Sequence, residues 1–163
     1  MPAAWDAHLD DLNSACNSRF LPEVVGLDRR MALNLVGERI NQFIDRCEFI
    51  SLGCYCAPAF ALQLLGLKKA SYPFDWVRST VEGIIHCFDA KFEDFLSYST
   101  YNICSEHAVF GGTRWGGSFW HHNLEAPITA DQMVRRIRRL LSGDGQSGTR
   151  FFLRVANDSR EVD

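Results

Sequence analysis

Cys56 and the adjacent histidines His121 and His122 are the side chains whose types could do chemistry. A thiolate is a strong nucleophile, and an imidazole that titrates near neutral pH can take the thiol proton and later hand it to a leaving group. Cys56 lies in FISLGCYCAPAFALQLLGL, Phe49 to Leu67, which reads as a buried strand, a glycine turn and a helix that opens on cysteine. A thiol at a helix start faces unpaired backbone N–H groups and the positive end of the helix dipole, which lower its pKa from about 8.5. Cys56 is therefore the candidate nucleophile, and its pKa is expected to be depressed.

A cysteine early in the chain and a histidine much later is the order that Cys–His chemistry permits, and either His121 or His122 can serve as the base. A third group should orient the imidazole. Asn157 and Asp158, just beyond the apolar stretch RFFLRVA, are the nearest downstream candidates, with Asp75 and Glu161 as others. Asp75 and Trp76 in the loop SYPFDW, together with Trp120 and His121, are the expected substrate-binding groups.

Cys54 stands two residues before Cys56 and admits three roles: buried neighbour, resolving thiol or metal ligand. A zinc site would combine Cys54, Cys56, His121 and His122. However, C-x-C is tighter than the usual ligand spacing, and adjacent histidines on a strand point to opposite faces. Neither a metal nor a cofactor is expected. His8, His86 and His107 lie in settings that demand no chemistry.

The elements that must position these groups follow from periodicity. Trp5 to Cys16 is a short amphipathic stretch, and Arg29 to Cys47 predicts one helix with Leu33, Val36, Ile40, Phe43 and Ile44 on a stripe. Phe49 to Leu52 predicts a strand ended by Gly53, and Ala57 to Leu65 a helix with Pro58 in its first turn and Gly66 at its stop. Helices are predicted over Ser79 to Phe88 and near Phe92 to Leu96. Ser97 to Asn123, with its mix of glycines, aromatics and histidines, predicts hairpin or binding-loop structure. Thr129 and Gln132 form a capping-box pair before a helix that runs to about Leu141, GDGQSG is a turn, and Arg150 to Ala156 predicts a strand. The chain divides into a helical N-terminal extension, 1–47, and a domain, 48–163. The stop at Asp163, shortly after that strand, raises the question of C-terminal truncation.

Composition bounds the function. At 163 residues and 47% hydrophobic, the chain has one domain's length and enough apolar surface for a core. Seventeen basic against twenty acidic residues leave a formal charge of −3, so no global field attracts nucleic acid or anionic lipid. Arg135, Arg136, Arg138 and Arg139 are the one basic concentration, and their helical context reads as a solvated face rather than a phosphate site. No apolar run approaches the roughly 18 to 20 residues that cross a bilayer, and the start MPAAWDAHLDD lacks a signal-peptide core. The six cysteines are irregularly spaced, which favours free thiols in a reducing compartment. A soluble, cytoplasmic protein that binds neither membrane nor nucleic acid is expected.

SLGCYCAPAFALQLLGLKKASYPFDW resembles the opening signature SLGxxCxxAxxLxxLGLRxxSxPFDW of an uncharacterised family of papain-like cysteine peptidases. WHHNL, RRIRRLL and RFFLR look like its later segments. The resemblance implies an α+β, papain-like fold with N-terminal helices and a nucleophile-bearing helix packed on a small antiparallel sheet. It also implies Cys56 as nucleophile and His122 as base, with His121 the alternative. Asn123 and Leu124 depart from the family's Asp and Phe.

The implied function is a cysteine hydrolase, a peptidase or amidase, that works on a peptide, amide or acyl substrate through an acyl-enzyme. Interception of that intermediate by an amine or alcohol would instead make an acyltransferase or transglutaminase-type enzyme. The competing expectation is a non-catalytic ligand- or protein-binding domain of the same fold, with Trp115, Phe119 and Trp120 as its stacking surface.

Overall fold

The computed structural model describes residues 23–104, 107–142 and 148–156. Trp5 to Cys16, His8, Asn157, Asp158 and Glu161 lie outside the described residues. Two helices open the described chain, α1 (Glu23–Ala32) and α2 (Glu38–Arg46). Between them Asn34 and Gly37 take positive φ angles of 56° and 124°, so the single helix predicted over Arg29 to Cys47 is broken. Left-handed backbone interrupts the i to i−4 hydrogen-bond ladder whatever the apolar stripe favours.

Strand β1 (Cys47–Ser51) follows directly, and helix α3 (Ala57–Leu64) comes after a glycine turn. Pro58 occupies the first turn of α3, where a missing N–H costs nothing. Gly66, at φ 63°, ends it. The N–H of Leu67 donates to Leu62 O at 2.8 Å and that of Gly66 to Gln63 O at 3.0 Å, the paired bonds of a glycine stop. Arg29 and Arg30 of α1 donate to the carbonyls of Leu64 and Leu65 at 3.2 and 2.6 Å, so the first described helix caps the end of α3. A Cβ on Gly26 would stand 2.6 Å from Gly66 Cα, and only glycine permits that approach.

The remaining elements are β2 (Val77–Arg78), α4 (Val81–Asp89), β3 (Thr100–Cys104), β4 (His107–Gly111), β5 (Ser118–Phe119), α5 (Pro127–Ser142) and β6 (Thr149–Leu153). Thr80 caps α4 by accepting from Gly83 N at 3.0 Å. Near Phe92 to Leu96 the predicted helix is absent: Lys91, Phe92 and Asp94 all have positive φ and form consecutive turns. Helix α5 begins at Pro127, so Thr129 lies inside the first turn instead of capping it.

The fold is α+β with two sheets. β1 and β6 pair in parallel, from Cys47 opposite Thr149 to Ser51 opposite Leu153. The other four strands form an antiparallel sheet in the order β2-β5-β4-β3. Helix α3 packs mainly on β1 and α1, not on the antiparallel sheet as the sequence leads one to expect. The core gathers Ile50, Phe74, Phe95, Phe110, Trp115, Phe119 and Met133. Trp115 and Phe119, read as stacking residues, are buried there; Trp115 stacks on Phe95 at 5.1 Å and donates its indole N–H to Phe95 O. No described helix is long and apolar enough to cross a membrane.

Candidate active site

The turn between β1 and α3 is built by backbone constraint. Gly53 (φ 77°) has no room for a Cβ, which would meet Ser79 Oγ at 2.6 Å. Cys54 also has positive φ, 91°, an unusual state for a residue with a side chain, and is fully buried. What holds it there is Ser79, whose hydroxyl accepts from Cys54 N at 2.9 Å and donates to Leu52 O at 2.9 Å. Arg154 in turn donates to Ser79 Oγ at 3.2 Å and to Ser79 O at 3.1 Å. Cys54 is thus a packed, strained turn residue.

This turn delivers Cys56 to the N-cap of α3, where its side chain makes no capping bond. Its Sγ lies 3.0 Å from Nε2 of His121, in the segment that follows β5. Burial pushes the Cys56 thiol above its ordinary pKa, outweighing the opposing pull of its own backbone N–H. The expected depression by the helix start is therefore reversed, because desolvation of a lone thiolate costs more than one helix terminus returns. The imidazole of His121 is the proton acceptor within reach of this thiol.

His122, the base implied by the family resemblance, is not the histidine that meets Cys56. Its Nε2 sits 3.0 Å from Arg136 Nη1 and its ring packs edge-on to Phe119. A guanidinium only donates, so this Nε2 is an unprotonated acceptor. Burial, then the charges of Arg136 and His121, lower the His122 pKa to about 3. In the bend that follows β5, His121 faces the thiol while His122 faces the arginine. The residues proposed for zinc accordingly diverge, and among the described residues no group of three or more His, Cys, Asp or Glu could hold a metal ion.

The other expected site residues divide. Trp76 is buried and sets its ring edge-on to His121 at 6.3 Å, so it lines the site. Trp120 is exposed and donates its indole N–H to Ser118 Oγ at 2.9 Å. Asp75 is fully buried and committed elsewhere: Oδ2 pairs with Lys68 and accepts from Tyr72 N at 2.8 Å. Through Oδ2 it ties Lys68 and Tyr72 into the SYPFDW loop, a structural role the sequence reading did not give it. Cys47, Cys54, Cys56, Cys87 and Cys104 are all free thiols. Ser79 and Arg154 were not singled out by the sequence, since a serine and an arginine at distant positions carry no spacing signal.

Over residues 47–114 the chain matches the family model described as "Putative papain-like cysteine peptidase". The match takes in β1, Cys56 and SYPFDW; His121 and β6 lie beyond it. The chain is also similar to an uncharacterized protein of Acanthamoeba polyphaga mimivirus, 41% identical over 71 residues, which are 41% of this chain and 32% of that protein. The chain thus spans about a third of the length of the curated relative it matches. No solved structure matches it.

Proposed function

We propose that this chain is a papain-like cysteine hydrolase in which Cys56 attacks a carbonyl or amide carbon and His121 is the acid and base. The 3.0 Å separation of Cys56 Sγ and His121 Nε2 carries this reading. The thiol proton passes to His121, and the thiolate sulfur of the resulting ion pair bonds to the carbonyl carbon while the oxygen takes the electron pair. In this reading backbone N–H groups at the start of α3, that of Cys56 among them, stabilise the oxyanion. The imidazolium protonates the departing amine, the thioester forms, and water activated by the same imidazole releases the acid. An amine or alcohol in place of water gives a transferase.

The orienting group in this reading is Asn157 or Asp158. Its support is topological: β6 runs parallel to β1, so the chain leaves β6 at the end where β1 leads to Cys56, and Arg154 already touches Ser79 beneath the turn. Peptide, amide or acyl groups are the substrate class. The competing reading, a binding domain with an inert thiol, draws on the burial that raises the Cys56 pKa.

The test is the pH dependence of iodoacetamide labelling at Cys56, mapped by mass spectrometry. With pKa near 8.5 an isolated thiol is about 1% ionised at pH 6.5, so an ion pair with His121 should label on the order of tenfold or more faster there. His121→Ala should abolish that excess, and His122→Gln should preserve it. Labelling no faster than an ordinary thiol in the wild type would favour the binding domain.

A further inference from the structure

The basic stretch of α5 is not merely a solvated face. Gln132, Arg135, Arg136 and Arg139 recur at helical spacing and line, with Lys69, Ala70 and Ser71, a cavity of about 330 Å³. Among the described residues no carboxylate lines it. Arg135 and Arg139 stand four residues apart, where like charges repel, a cost that a bound anion would relieve. Two of the cations are fixed by neutral acceptors. Lys69 Nζ donates to Ile44 O and Asp45 O at 2.9 and 2.8 Å, and Arg139 Nη1 to Ser71 O at 2.6 Å. Among the described residues the ion pairs are Lys68–Asp75, Arg114–Asp94 and Arg150–Glu48, so Lys69, Arg135 and Arg139 belong to none.

We propose that this cavity binds a small ligand through a phosphoryl-type oxyanion, with Arg135 and Arg139 as its principal donors and Lys69 and Gln132 at its rim. Planar guanidinium groups match the tetrahedral oxyanion with paired N–H bonds, and the volume is at the small end of ligand pockets, suited to a metabolite-sized group. The cavity is linked to the thiol site through one side chain. Arg136 lines it while holding His122, the residue next to the Cys56 partner. The anion can therefore belong to a ligand that reaches the thiol or to a free effector.

The experiment is calorimetric titration of the full chain with pyrophosphate at constant ionic strength, repeated on Arg135→Ala and on Cys56→Ala. One saturable site is expected, weakened about tenfold or more in Arg135→Ala, the loss of one charge-assisted contact, and unchanged in Cys56→Ala. Arg135 is exposed, so its replacement leaves the fold intact, which thermal melting checks. Binding that also slows iodoacetamide labelling of Cys56 supports the site with the anion on a thiol-directed ligand; binding without that effect supports it as an effector site. No saturable binding, or binding that Arg135→Ala leaves unchanged, overturns the proposal and leaves the thiol chemistry untouched.

Discussion

Arg154 grips Ser79 twice, at its hydroxyl and at its carbonyl, while that hydroxyl holds the N–H of the strained residue Cys54, two positions before Cys56. One donor and two acceptors exhaust what a serine hydroxyl can offer, so the group is saturated. Ser79→Ala strands the Cys54 N–H and the Leu52 carbonyl in a buried turn. A stability loss of about 1–3 kcal/mol in urea denaturation is expected, with slower labelling of Cys56 at pH 7. Unchanged labelling would mean that the turn holds its shape without this bond.

His122 makes stability depend on pH in a stated direction. Its folded pKa of about 3 lies below the ordinary 6.5, so the unfolded chain binds more protons between those values. Stability contributed by the neutral ring is complete above pH 6.5 and is lost as pH falls toward 3. Between pH 7 and pH 5 the loss from this residue is about 2 kcal/mol. His122→Gln, which keeps an acceptor for Arg136, should flatten that part of the profile in paired urea melts.

Lys68 and Asp75 form an ion pair with side-chain exposures of 4% and 0%. Removing one partner leaves the other charged and buried. Lys68→Met should cost about 3–5 kcal/mol, whereas Lys68→Met combined with Asp75→Leu should cost less than the single change. Denaturation of the three variants checks the order.

Gly26 and Gly66 bring α1 onto the end of α3. Gly26→Ala would push a methyl against Gly66 backbone, and overpacking of this kind costs about 1–3 kcal/mol. Hydrogen exchange at Gly66 and Leu67 should accelerate as the helix end loses its brace, while exchange in the antiparallel sheet should not.

Much of this organisation is legible in the chain. The strand, turn and helix around Cys56 follow from local rules, since Gly53, Pro58 and Gly66 each impose a backbone state that neighbours cannot veto. The α+β composition follows likewise. What escapes is settled by tertiary contact. Which of two adjacent histidines faces the thiol depends on where Arg136 lies, and the thiol's pKa depends on burial, which outweighs the helix start. Asp75 looks available in SYPFDW only because Lys68 is not seen to fold back on it. The break at Asn34 fails to register because a left-handed residue leaves the apolar periodicity intact on both sides.

The parallel pairing of β1 with β6 sets an order of events in the life of the molecule. Glu48 and Arg150, which bridge these strands, are separated by 102 positions, and Arg154 comes later still. A chain emerging from the ribosome exposes its cysteine long before the strand that secures the cysteine's turn exists, and such long-range pairing forms slowly. The nascent protein therefore carries Cys56 as an unpositioned thiol until β6 has paired with β1.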